Sequence, residues 1–122
     1  MRIERTYIHL NNFKVYAYHG VGKQEQVVGN EYIINLKIKV SLENAAKSDL
    51  LKETISYADI CQEIHTVMRS PAQLLEHVAY KIANHLLATF PIIEELQIKL
   101  DKRNPPMGED IDSAGVEFVV QR

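Results

Sequence analysis

The chain has 122 residues, 46% of them hydrophobic and 25% charged, which is the profile of one folded domain with one core rather than a disordered or fibrous segment. Its 14 basic and 16 acidic residues are interspersed and leave a formal net charge of -2, so there is no basic footprint for a nucleic acid. No apolar run approaches the roughly 20 residues that cross a bilayer, and Met1-Arg2-Ile3-Glu4-Arg5 lacks the apolar stretch of a signal peptide, so no membrane is expected and the cytoplasm is the expected compartment.

The first element expected is a strand over Tyr7 to Tyr18, mixing β-branched, aromatic and polar residues before His19-Gly20. Gly20 to Asn30, rich in glycine and polar residues, reads as a connection too long for a minimal hairpin turn and therefore able to carry function. Glu31 to Leu42 alternates cleanly, with Tyr32, Ile34, Leu36, Ile38, Val40 and Leu42 on one face, as a half-buried strand does.

From Ser56 the period changes. Ile60, Ile64, Val67 and Met68 fall at helical spacing, with Ser56 and Asp59 placed like a capping box, so a helix is expected from about Tyr57 to Met68. Ser70-Pro71 reads as the start of a second helix, whose stripe Leu75, Val78, Ile82 and Leu86 ends before Pro91. Period two returns with Leu96, Ile98 and Leu100, and again with Val116, Phe118 and Val120, around the loop Arg103 to Gly108. The expected order is ββααββ in a single domain over residues 1–122. That means an α+β layer, an antiparallel four-stranded sheet with two helices on one face. Its second face would need a partner, and its open edges would be managed by closure into a ring-like assembly or by charged edges alone.

Several side chains carry chemistry in principle, and each has a plainer reading. Glu25 in the first long connection is a solvated charge unless something gathers it into a site. Tyr57, at the start of the first helix, is either a packing residue or a cover for a planar ligand. Glu76 in Leu74-Leu75-Glu76-His77 complements a helix dipole, but beside free backbone N–H groups it can also grip two parallel N–H donors of a ligand. Lys102 at a strand end is a solubilising terminus unless its amine loses its proton and becomes a base. The single cysteine, Cys61, has no disulfide partner or activating motif and is expected to act as a small buried hydrophobe. His9, His19, His65, His77 and His85 form no His-Glu-x-x-His pattern, so no metal site is expected.

The order and spacing of these motifs resemble those of the dihydroneopterin aldolase family across essentially the whole chain. The matching segments are Tyr16-Ala17-Tyr18-His19-Gly20-Val21 with Glu25, then Gly29, Asp49-Leu50, Thr54-Ile55-Ser56-Tyr57, Leu74-Leu75-Glu76-His77, Lys102-Arg103-Asn104-Pro105-Pro106, and Gly115-Val116. Asn30 stands where glutamine is common in that family, and Gln73 where some members carry asparagine. The resemblance implies the tunnelling fold, with subunits joining their sheets around a channel and two tetrameric rings stacking into a homo-octamer. It implies active sites between subunits, with Tyr57 from one chain and Glu25, Glu76 and Lys102 largely from another. The implied reaction is a retro-aldol cleavage without metal or other cofactor, turning 7,8-dihydroneopterin into 6-hydroxymethyl-7,8-dihydropterin and glycolaldehyde, with 2'-epimerisation as a side activity. In the implied assignment Glu76, with backbone groups near Leu75 and Tyr57, holds the pterin; Tyr57 stacks on or borders the ring and assists proton transfer; Lys102 and Glu25 bind the side chain and act on it. The rivals are an epimerase of dihydroneopterin triphosphate and a non-catalytic pterin-binding or assembly module.

Overall fold

A computed structural model describes all of residues 1–122. Strand β1 (Tyr7–Ala17) leads into a short helix α1 (Lys23–Val28) and strand β2 (Asn30–Lys39). Helix α2 (Glu43–Ser48) and a 3-10 turn at Leu51–Glu53 precede the two long helices, α3 (Tyr57–Met68) and α4 (Leu75–Thr89). Strands β3 (Glu95–Arg103) and β4 (Ser113–Gln121) complete one antiparallel sheet in the order β1-β2-β3-β4. The ββααββ frame stands, with two short helices added. Neither of them buries a residue, so neither leaves an apolar period in the sequence.

Alternation places Tyr32, Ile34, Leu36 and Ile38 of β2 beside Leu96, Ile98 and Leu100 of β3 on the face that α3 and α4 cover. Ile60, Ile64 and Met68 of α3, and Val78, Ala79, Ile82, Ala83 and Leu86 of α4, close over them in one core cluster. At roughly 25 cal/mol per Å2 of apolar surface, this burial is what holds the layers together. The opposite face carries Lys37, Gln97, Lys99 and Glu117, with Gln97 bonded to Glu117. Water can wet such a face, as it commonly does one face of an antiparallel sheet.

The helix ends differ from expectation in two places. Ser56 is the N-cap of α3, but its side chain makes no capping bond; its carbonyl accepts instead from Asp59 N–H at 3.0 Å and Ile60 N–H at 3.2 Å. Helix α4 begins at Leu75, not at Ser70-Pro71. The backbone of Ala72 is taken up by bonds to Gly20 and His19, which hold the approach to α4 out of helical form. At the far end, Arg122 donates to the carbonyls of Leu87 at 2.7 Å and Phe90 at 3.0 Å, a cation on the negative end of the helix.

Helices α3 and α4 run antiparallel. His85 of α4 meets Glu63 of α3 at 2.5 Å, and Ser56 and Asp59 lie beside Phe90 and Pro91. Helix α4, at 15 residues, rises about 22 Å. The start of α3 and the start of α4 are therefore at opposite ends of the layer.

Candidate active site

Lys102 extends the row Leu96, Ile98, Leu100 on the helix-facing side of β3 and pairs in register with Tyr32 of β2. Its aliphatic stem thus continues the edge of the core, and its amine emerges where the core ends. There it donates to Glu25 Oε1 at 2.6 Å, with the two side chains only 13% and 22% exposed.

Glu25 reaches this position because α1 folds the Gly20–Asn30 connection back on itself. The backbone N–H of Glu25 donates to Gly22 O at 3.2 Å, and Glu25 Oε2 accepts from Gly22 N–H at 3.3 Å. That is half of a capping box, since Gly22 has no side chain to complete it. The Lys102 hydrogen bond pulls the Glu25 carboxyl below its usual range; burial opposes this, and the Gly22 N–H reinforces it. Gly20 makes the arrangement possible: a Cβ there would lie 2.5 Å from the Cβ, Cδ and Oε2 of Glu25. A cleft of about 540 Å3 opens beside the carboxylate, lined by Gly22, Gln24, Glu25, Gly29, Asn104 and Pro106 among others. Asn30, one of the two departures noted in the sequence, also lines it: its amide donates to Asn104 O at 3.4 Å, and its Oδ1 accepts from Glu31 N–H at 2.7 Å.

Glu76 is exposed in the first turn of α4, where a carboxylate complements the dipole. Leu74 caps that turn without any side-chain bond, so the first N–H groups of α4 are open to a ligand. Leu75 packs against the core. Because α4 runs back along β3, its start lies over the same end of the sheet as Lys102. The segment before α4 is fastened to the residues just after β1: Gly20 N–H donates to Ala72 O at 2.9 Å, and Ala72 N–H donates to His19 Nδ1 at 3.0 Å.

Tyr57 is the exception. It is 68% exposed at the start of α3, at the opposite end of the helix layer, so it is not the packing residue of the plainer reading. One chain therefore gathers Glu25 and Lys102, sets Glu76 at the same end, and leaves Tyr57 apart. Cys61 on α3 is partly exposed, and burial raises its thiol above the usual range.

Sequence reasoning considered His19 only as a metal ligand and in a motif. In the structure it is 1% exposed, with its carbonyl accepting from Tyr32 Oη at 2.7 Å and its ring edge-on to Tyr32 at 5.2 Å. Burial, then the charges of Lys81 and Lys102, lower it to about 4, so the imidazole is neutral. Burial raises Tyr32 to about 12, which keeps its hydroxyl a donor. No local pattern signals these roles, because the partners of His19 lie 13 and 53 residues away.

A family model described as FolB, dihydroneopterin aldolase, matches residues 8–119. The chain belongs to the dihydroneopterin aldolase family. It is 32% identical over 113 residues to the dihydroneopterin aldolase of Staphylococcus epidermidis, covering 92% of this chain and 93% of that protein. The Escherichia coli dihydroneopterin aldolase solved in complex with neopterin superposes with a TM-score of 0.86 at 27% identity, over 94% of this chain and 98% of that one. A FolB structure from Vibrio cholerae reaches a TM-score of 0.90 at 21% identity, over 98% and 100% of the two chains, and shares the fold. The family is one of lyases, and the α+β tunnelling-fold architecture read from the sequence is the one these neighbours share.

Proposed function

We propose that this chain cleaves the side chain of 7,8-dihydroneopterin in the cytoplasm, releasing glycolaldehyde and 6-hydroxymethyl-7,8-dihydropterin. The observation that carries this reading is the Lys102–Glu25 pair, half-sequestered at the end of the sheet to which the bonds of His19 and Gly20 fasten the approach to Glu76. Support comes from membership of the family and from the neopterin bound to the Escherichia coli neighbour.

Glu76 accepts the 2-amino and ring N–H groups of the pterin, and open N–H groups near Leu75 meet its acceptors. Side-chain hydroxyls of the substrate compete with Lys102 for the Glu25 carboxylate. As those hydroxyls displace Lys102 from Glu25, its ammonium passes a proton to solvent, and the neutral amine takes the 2'-hydroxyl proton, directly or through a water. The C1'–C2' bond then breaks, glycolaldehyde leaves, and the electron pair enters the conjugated C=N bond of the dihydropterin. Protonation at C1' completes the product. The substrate's own C=N bond is the electron sink, so the reaction places on the protein only positioning, proton movement and charge stabilisation. Rebinding of the aldehyde with its other face forward reverses the cleavage with epimerisation at C2'.

Tyr57 enters the site from a second copy of the chain. Its exposure and its distance from Glu76 within one chain support subunits joined edge to edge in rings, two of which stack into an octamer.

A product assay with dihydroneopterin, run beside a measurement of particle mass, tests the reading. Glycolaldehyde from a multimeric particle is the expected result. Absence of glycolaldehyde with epimerisation of the triphosphate would favour the epimerase, and tight pterin binding without turnover would favour a non-catalytic module.

A further inference from the structure

We propose that His19 is a positioning residue for this reaction: its imidazole holds the segment leading into α4, and with it the Glu76 ring anchor, in register with Lys102. The inference rests on the reading of Glu76 as the anchor.

The clamp has two jaws. Gly20 N–H donates to Ala72 O at 2.9 Å, and His19 Nδ1 accepts from Ala72 N–H at 3.0 Å, so both backbone groups of Ala72 are bound by one dipeptide. Glu76 follows four residues later, at the first turn of α4. On the other side, Tyr32 Oη donates to His19 O at 2.7 Å, and Tyr32 is the register partner of Lys102. A short path of packed and bonded groups therefore joins the anchor to the amine.

The choice of side chain is informative. With Nδ1 accepting, the proton of the neutral ring is on Nε2, and Nε2 is buried without a partner. A leucine or phenylalanine would fill the same space without stranding a donor. What histidine adds is the Nδ1 acceptor. The cations that act on it, Lys81 and Lys102, both disfavour its protonation and so preserve that acceptor.

The test compares three variants. His19→Asn keeps an acceptor near the Nδ1 position, His19→Gln keeps volume but moves the acceptor outward, and His19→Leu removes it. Neopterin affinity, kcat and KM for dihydroneopterin, and amide hydrogen exchange at residues 72–77 are read on each folded protein. Loss of the acceptor in His19→Gln and His19→Leu is expected to weaken neopterin binding about tenfold, one hydrogen bond's worth, and to speed exchange at these amides. His19→Asn is expected to restore both. Wild-type affinity and exchange in His19→Gln would overturn the inference, as would equal losses in His19→Asn and His19→Gln, which would assign His19 to packing alone. If His19→Leu does not fold, the Asn and Gln pair decides. Should the wild-type protein fail to bind neopterin, the anchor reading fails, and exchange at residues 72–77 still decides whether His19 holds the segment.

Discussion

Lys102 and Glu25, 77 residues apart in sequence, meet at 2.6 Å where the apolar row of β3 runs out. The contact is both an ion pair and a hydrogen bond, sheltered enough to fix the amine's position. If Lys102 moves the 2'-hydroxyl proton, Lys102→Ala will lower kcat by about 100-fold or more and change substrate binding little. Steady-state kinetics against direct binding of neopterin separate the two, and equal losses in both would argue against proton transfer.

Glu76, in its proposed role as the ring anchor, should give the opposite pattern. Removing a charge-assisted contact to two N–H donors costs about 3 kcal/mol of binding, or roughly 100-fold in dissociation constant. Titration of Glu76→Ala with neopterin should show that loss, and unaltered affinity would remove Glu76 from the site.

Acid should destabilise the protein through His19. Above its unfolded value of 6.5 the ring is neutral in both states and its contribution is intact. As pH falls below that, the unfolded chain takes up a proton that the folded chain, titrating at about 4, does not, so stability declines across this window. The full loss is about 3 kcal/mol. Glu25, whose folded carboxyl is held low, adds a loss in the same direction at the acid end, below the unfolded value of 4.5. Urea unfolding of the wild type and His19→Leu at a series of pH values should show a shallower slope for the variant between about pH 6.5 and 5.

Mixing provides the test of shared sites. Tyr57→Ala and Lys102→Ala should each be inactive alone. If every site draws Tyr57 from one chain and Lys102 from another, co-refolding the two in equal amounts will leave about a quarter of the sites with both native residues. Recovered turnover confirms the arrangement, and none would place Tyr57 outside the site.

The sequence carried the core well and the site unevenly. Strands β2, β3 and β4 were legible because one buried face imposes period two, and α3 began and ended where Tyr57 and Met68 were expected. Helix α1 was hidden, because six residues without a buried one have no period to show. The start of α4 was misplaced because local helix signals at Ser70-Pro71 yielded to bonds that Ala72 makes with His19 and Gly20. Glu25, Glu76 and Lys102 were singled out through motif resemblance. Their shared end of the domain follows from α4 running back along β3, which no short window of residues records.

Under the proposed sharing of sites, the separation of Tyr57 from Lys102 along the helix layer makes each subunit the holder of two incomplete halves. Each copy that joins finishes its neighbour's site and leaves its own to be finished by the next, until the circle shuts. Specific activity should then collapse on dilution while each subunit is still folded, so catalysis would report how crowded the chains are as well as how much substrate is present.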